Sequence, residues 1–227
     1  MATRYSPRIV TDGLVFCYDF ASSRCWDGTG SVTDLAAGRE GTPTNGPTFS
    51  RTWPAAGGSI FLDGGNDYVK TDYSVTSAGS YTFINWIKLD SRSSWDMVFG
   101  QQVTIEYGIG DDAEHNDLVF YSGNGSTWNS RVTWTDAAPT IGEWTHCAVV
   151  STQGNVKFYK NGTLHSSTSD NGVTGGNSYE MYFGIRGEDL SWNYLHGSLA
   201  SCLIYNKELS ATEVSKNYIA TKGRFGL

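Results

Sequence analysis

Two stretches of this chain combine side chains that could do chemistry. The first is Arg186-Gly-Glu-Asp-Leu-Ser-Trp-Asn-Tyr194. Sugar rings are held by aromatic faces that meet their C–H surfaces and by planar polar groups that fix orientation. Here Trp192 and Tyr194 supply the faces and Arg186 and Asp189 the planar groups, in one loop between predicted strands. Trp95 and Trp128 fall in or near other loops, and Trp128 joins the candidate set. The same rings would serve equally to cover the edge of a sheet, and the residues alone leave both readings open.

The second stretch is Asp111-Asp-Ala-Glu-His-Asn-Asp117. Asp112, Glu114 and Asn116 alternate as oxygen ligands for Ca²⁺ can. The Ca²⁺ loop pattern, however, wants Gly at its sixth position and Glu at its twelfth. Counted from Asp112 those positions hold Asp117 and Gly123. A solvated hairpin loop is the competing account of the same residues.

Other chemistry is poorly supported. There is no Gly-x-Ser-x-Gly elbow, no Walker loop and no His-Glu-x-x-His. Glu106, Glu143 and Glu188 stand alone in pattern, whereas hydrolysis of a glycosidic bond needs two carboxylates across it. His146 lies within a strand pattern and reads as a packed, hydrogen-bonded core group. His115, His165 and His196 fall in or beside turns and read as solvated.

The totals narrow the class further. A formal net charge of -7, with no Lys/Arg cluster, excludes a protein that works by neutralising phosphates, so no nucleic-acid partner is expected. No apolar run approaches the length that spans a bilayer, and the first residues lack a signal-peptide core. The expectation is a chain made in a cytoplasm without a signal peptide and not inserted in a membrane. Cys17, Cys25, Cys147 and Cys202 show no metal-type spacing and read as reduced thiols, three of them inside apolar strand patterns.

The elements that must position the candidates are strands. Aromatics at 14% and 27 glycines suit many short strands joined by tight turns. The best-marked region is Trp144 to Ser166: a strand to Ser151, a turn at Gln153-Gly154-Asn155, a strand Val156 to Lys160, then Asn161-Gly162 and a third strand. Asn-Gly is the dipeptide best suited to a type I′ turn. Apolar residues on both faces of the first of these strands imply cover on both sides.

Alternation predicts further strands at Ile9–Phe20, Tyr81–Asp90, Met97–Gly100, Val103–Ile109, Leu118–Ser122, Ser126–Thr135, Tyr179–Ile185 and Gly197–Asn206. Gly58 to Lys70 reads as a hairpin or a bulged strand. Ala21 to Pro54 reads as a long connection holding at most one short strand. One helix is expected from Ala211 to Ala220, ended by Gly223. Ser210-Ala-Thr-Glu213 is its capping box, with Leu209 and Val214 at the staple positions.

Several segments together resemble the concanavalin A-like lectin/glucanase superfamily in its laminin-G-like branch. They are Gly13-Leu-Val-Phe-Cys-Tyr-Asp19, Phe61-Leu-Asp-Gly-Gly-Asn-Asp-Tyr-Val69, Tyr81-Thr-Phe-Ile-Asn-Trp-Ile87, Trp144-Thr-His with Phe158-Tyr-Lys-Asn-Gly162, and Gly197-Ser-Leu-Ala with Ile204-Tyr-Asn-Lys-Glu-Leu-Ser210. The resemblance implies one domain over residues 1–227: an all-β, two-sheet antiparallel jelly-roll sandwich with one short C-terminal helix and its first and last strands adjacent. The superfamily's hydrolases carry Glu-x-Asp-x-x-Glu, which is absent here. Relatives often place a carboxylate for a structural Ca²⁺ early in the last long strand, where this chain has Ala200.

The opening Tyr5-Ser-Pro-Arg-Ile-Val-Thr-Asp-Gly13 and the ending Lys222-Gly-Arg-Phe-Gly-Leu227 are similar to those of phage virion proteins. The resemblance therefore implies a non-enzymatic protein of the virion surface, as capsid decoration or a tail or fibre component. Its partners would be other virion proteins, host-surface glycans or further copies of itself. A free-standing carbohydrate-binding module is the second reading and a divergent glycosidase the third.

Overall fold

The computed structural model describes residues 8–51, 57–93, 95–110, 116–187 and 193–227. In chain order, β1 (Leu14–Asp19), β2 (Val32–Thr33), β3 (Glu40–Thr44) and β4 (Thr48–Ser50) lead to β5 (Ser59–Asp63), β6 (Tyr68–Thr71) and β7 (Tyr81–Leu89). Four strands form a central meander: β8 (Asp96–Gln101), β9 (Ile105–Ile109), β10 (Leu118–Gly123) and β11 (Trp128–Trp134). Then come β12 (Thr145–Thr152), β13 (Asn155–Lys160), β14 (Thr163–Thr168), β15 (Tyr182–Phe183) and β16 (His196–Tyr205). Helix α1 (Ala211–Thr221) and a 3-10 turn, Lys222–Phe225, follow.

These strands make two eight-stranded antiparallel sheets. The first runs β14-β13-β12-β7-β16-β5-β4, with β1 also paired to β16; the second runs β11-β10-β9-β8-β15-β6-β3-β2. Pairing of β1 with β16 brings the two ends of the fold together, as the resemblance implies. The core lies between the sheets because alternate residues of each strand point to one side. Phe83, Ile87 and Leu89 of β7, Cys147 and Val149 of β12, and Cys202 and Ile204 of β16 join Ile105, Tyr107, Phe120, Val132 and Trp134 of the second sheet in one buried cluster. All four cysteines are free and buried.

The first sheet is apolar on its other side too. Ile84, Ala148, Val150, Tyr159, Leu203 and Tyr205 pack with Leu209 and Val214, so α1 covers this face. The capping box forms: the Glu213 amide donates to Ser210 Oγ at 3.3 Å and the Ser210 amide to Glu213 Oε2 at 2.8 Å. Next to it Phe225 stacks on Trp86 at 3.8 Å and 18°, and Trp86 Nε1 donates to Thr221 Oγ1 at 2.8 Å. Gly223 does not end the helix as expected. The chain tightens into the 3-10 turn, and Gly226, at φ 76°, makes the left-handed stop.

Three sequence expectations need correction. Gly58 to Lys70 is neither a hairpin nor a bulged strand: β5 belongs to the first sheet and β6 to the second, so Gly64-Gly65 crosses between layers. Gly64 has φ 75°, and a Cβ there would lie 2.7 Å from that of His196. Ala21 to Pro54 holds three short strands, of which β2 and β4 lie at sheet edges and β3 lies beside β2. The segment Tyr179 to Ile185 contributes only two strand residues, Tyr182 and Phe183.

Candidate functional site

Register across the second sheet lines up a row of residues on its outer face. Arg131 of β11 pairs with Tyr121 of β10, which pairs with Glu106 of β9, and Glu106 with Gly100 of β8. The row continues from Gly100 to Tyr182, Lys70 and Thr42. At roughly 4.8 Å per strand, seven positions span about 29 Å. Their neighbours in sequence, Tyr107, Phe120 and Val132 among them, fill the core.

Tyr121 is the centre of an aromatic patch on this face. Trp128 lies 5.6 Å from it and Trp95 6.2 Å, measured between ring centroids. The Arg131 guanidinium sits over both Trp95, at 5.3 Å, and Tyr121, at 5.8 Å. Such cation–π contacts contribute about 0.5–1 kcal/mol each at exposed sites and hold the rings in place. All three rings remain half-buried, so each keeps surface for a ligand. Trp95 is held at φ 70°, and a bulky residue adopts that left-handed backbone only where surrounding contacts impose it. One such contact is its amide, which donates to the Gly110 carbonyl at 3.0 Å.

Beside the patch lies an ion pair whose carboxylate is buried and whose guanidinium is half-buried. Arg186 Nε donates to both carboxylate oxygens of Glu106, at 3.2 and 3.0 Å, and the Glu106 side chain is inaccessible to solvent. A carboxylate is buried at this cost only when paired and hydrogen-bonded. Burial raises the Tyr121 pKa, Arg186 opposes the rise and Glu106 adds to it, which joins the pair and the patch in one surface. Glycine at 100 permits this arrangement, because a Cβ there would lie 2.6 Å from the Gly187 nitrogen. Residues 184–187, just after β15, thus lie close against the sheet, and Met97 N donates to Asn193 O at 3.2 Å.

Of the residues singled out for glycan contact, the structure brings Arg186 and Trp128 onto this one face. Tyr194 is half-buried and follows Asn193 at its rim; Asp189 and Trp192 lie outside the described residues. Of the calcium candidates, Asp112 and Glu114 also lie outside them. Asn116 is described: its side-chain amide donates to Asp136 Oδ1 at 2.6 Å and its carbonyl accepts from Ala138 N at 2.8 Å. Among the described residues no group of three or more acids, histidines or cysteines is placed to hold a metal ion. Ala200 packs with Trp86 and Phe225, an apolar setting without oxygen ligands from its own side chain.

Two histidines differ from expectation. His196 opens β16, half-buried, and its Nδ1 shares a 2.7 Å hydrogen bond with Ser91 Oγ, so it is not simply solvated. His146 is packed as expected, but neither ring nitrogen has a hydrogen-bond partner among the described residues.

A family model of laminin G type, described as concanavalin A-like lectin/glucanases superfamily, matches residues 63–215. The chain belongs to this superfamily. Among solved structures similar to it is domain 4 of AbnA, a GH43 extracellular arabinanase from Geobacillus stearothermophilus, in complex with arabinotriose. It has a TM-score of 0.68 at 19% identity, covering 90% of this chain and 98% of that one. The binding domain of botulinum neurotoxin serotype G has a TM-score of 0.68 at 14% identity, covering 90% of this chain and 50% of that one. The serotype D ligand-binding domain in complex with N-acetylneuraminic acid has a TM-score of 0.67 at 14% identity, covering 91% and 50%. The chain thus spans half the length of these toxin domains. No curated protein sequence matches it.

On this concanavalin A-like frame, sequence reasoning missed Tyr121, Arg131 and the tie between Glu106 and Arg186. Alternation does put Tyr121 on the opposite side of its strand from Phe120, and Arg131 opposite Val132. That β9, β10 and β11 lie in register, so that the two residues meet beside Glu106, is information carried by strand pairing alone.

Proposed function

We propose that the outer face of the second sheet binds glycans, and that the chain is a non-enzymatic lectin-like module on the surface of a phage particle. The observation that carries the binding reading is the patch of half-buried Trp95, Tyr121 and Trp128 around Arg131, beside Arg186. Aromatic faces for the C–H surface of sugars and guanidinium groups for their hydroxyls are the two components glycan recognition needs. The complexes of similar structures with arabinotriose and N-acetylneuraminic acid support it. A non-catalytic role is supported by Glu106, whose two oxygens are held by Arg186 rather than facing a second acid across a substrate-sized gap.

The virion setting rests on the similarity of the chain's opening and ending to phage virion proteins. There the module would contact other virion proteins, with host-surface glycans as its ligand. Likeness to an arabinanase domain in complex with arabinotriose supports carbohydrate binding in a second reading, a free-standing carbohydrate-binding module.

A glycan array probed with the native protein and with Tyr121→Ala tests the binding site. Losing one stacking ring should weaken the best ligand by about 3- to 10-fold while the melting temperature changes little. Equal binding by both proteins refutes this site. An electron-microscopy map of a particle carrying the protein at fixed positions would support the virion reading. Selective retention on arabinan with no particle association would favour the second.

A further inference from the structure

On the opposite side of the sandwich a cleft of about 430 Å³ opens where β12 begins and β13 ends. Trp144 and Phe225, 5.0 Å apart, line its apolar part, with Leu227 at the rim. Beside Thr140 and Thr145 its polar lining holds two charged groups and an amide, Glu143, Lys160 and Asn161, and each of these three has hydrogen-bonding capacity left over.

The Glu143 carboxylate is exposed and makes no hydrogen bond or ion pair among the described residues. Lys160 Nζ donates to the Ala138 carbonyl at 3.0 Å, which leaves two of an ammonium's three donors unspent. Asn161 accepts from the His146 amide at 3.0 Å through Oδ1, leaving its NH₂ group without a partner among the described residues.

The cleft is built rather than incidental. Gly142 N donates to the Leu89 carbonyl at 2.8 Å and the Glu143 amide to the Thr140 carbonyl at 3.2 Å, which fixes the loop that carries Glu143. Asn161 is locked in its turn at φ 51°, its amide donating to the His146 carbonyl at 2.8 Å. Binding therefore requires little ordering of the walls.

The chemistry of the lining selects a ligand class. An anion would meet Glu143, a cation would meet Lys160, and an apolar molecule would leave all three polar groups without partners. A neutral polyol with one C–H face satisfies the acceptor, both donors and the ring of Trp144 together. We propose that this cleft is a second carbohydrate site, taking a neutral mono- or disaccharide. It is separate from the patch around Tyr121, on the other sheet, and does not depend on that patch binding anything.

The test uses the full chain with Tyr121→Ala and Trp128→Ala, which disable the other face. Its Trp144 indole N–H resonance is followed by NMR during titration with neutral methyl glycosides of gluco, galacto, manno and arabino configuration and with lactose. L-Phenylalanine serves as the zwitterionic control. A saturable shift with at least one saccharide is expected, weakened about tenfold or more by Glu143→Ala, since a hydrogen bond to a charged group is lost. Glu143 is exposed, so that variant should melt with its parent. No shift with any saccharide, a shift insensitive to Glu143→Ala, or binding of L-phenylalanine in their place would overturn the proposal.

Discussion

Acid should destabilise this fold through His146 in a pH range where most carboxylates are still ionised. The ring lies on the outer face of β12, 1% exposed, with centroids 5.3 Å from Trp86 and 5.6 Å from Tyr218. Removal from water pushes its pKa down to about 3. In the unfolded chain it returns to about 6.5. Between those values the unfolded state binds the extra proton, so stability is complete above the higher one and falls as pH drops through it. At about pH 5 the shortfall is ~1.5 pH units at ~1.4 kcal/mol each, or ~2 kcal/mol. For a chain of this size that lowers the melting temperature by about 4–8 °C.

Carboxylates contribute their own pH dependence, so the assay is a comparison. Thermal melts of the native protein and of His146→Leu, from about pH 7.5 to pH 5, share every carboxylate, and the difference isolates the imidazole. Leucine keeps the volume roughly and removes two ring nitrogens that lack partners among the described residues. The variant should be near neutral in stability at the upper pH and gain ~2 kcal/mol on the native protein at the lower one. Parallel curves, or a folded-state imidazole that titrates near its ordinary value by NMR, would refute the reasoning.

Two further substitutions probe the frame. Gly162→Ala places a Cβ 2.9 Å from that of Tyr218 at a φ of 75°, so both the turn and the helix contact suffer. Urea unfolding should show a loss of at least about 1 kcal/mol. Arg186→Ala removes the guanidinium held against both oxygens of buried Glu106 and should cost about 3 kcal/mol. Adding Glu106→Gln should recover part of that, a non-additivity readable in a double-mutant cycle.

How much of this was legible beforehand follows from what alternation encodes. The pattern in Tyr81 to Leu89 marks which side of a strand is greasy, and Ser210 with Glu213 marks a helix start, because both signals are local. Neither says which strand lies alongside. Ile60-Phe-Leu and Tyr68-Val69 therefore looked like one hairpin, although β5 and β6 join different sheets. Val32 and Phe49 sit in edge strands and Pro43 in the strand beside one, all too short for a periodic signal. The aromatic side chains of the candidate site were visible as composition, and Arg186 and Trp128 do reach the same face. Glu106 stands alone in the sequence because its partner is 80 residues away, and only pairing of β9 with β8, and of β8 with β15, brings them together.

The contacts near the two ends of the described chain have a consequence for orientation. Val10 packs beneath α1, Arg224 reaches back to Asp19 at 2.8 Å, and Phe225 is wedged against Trp86. All of these lie behind the first sheet, whereas Tyr121 looks out from the second. Anything joined to the protein on that rear side would hold it by its back, with a double layer of strands as spacer and the ring-bearing front turned outward toward whatever surface approaches.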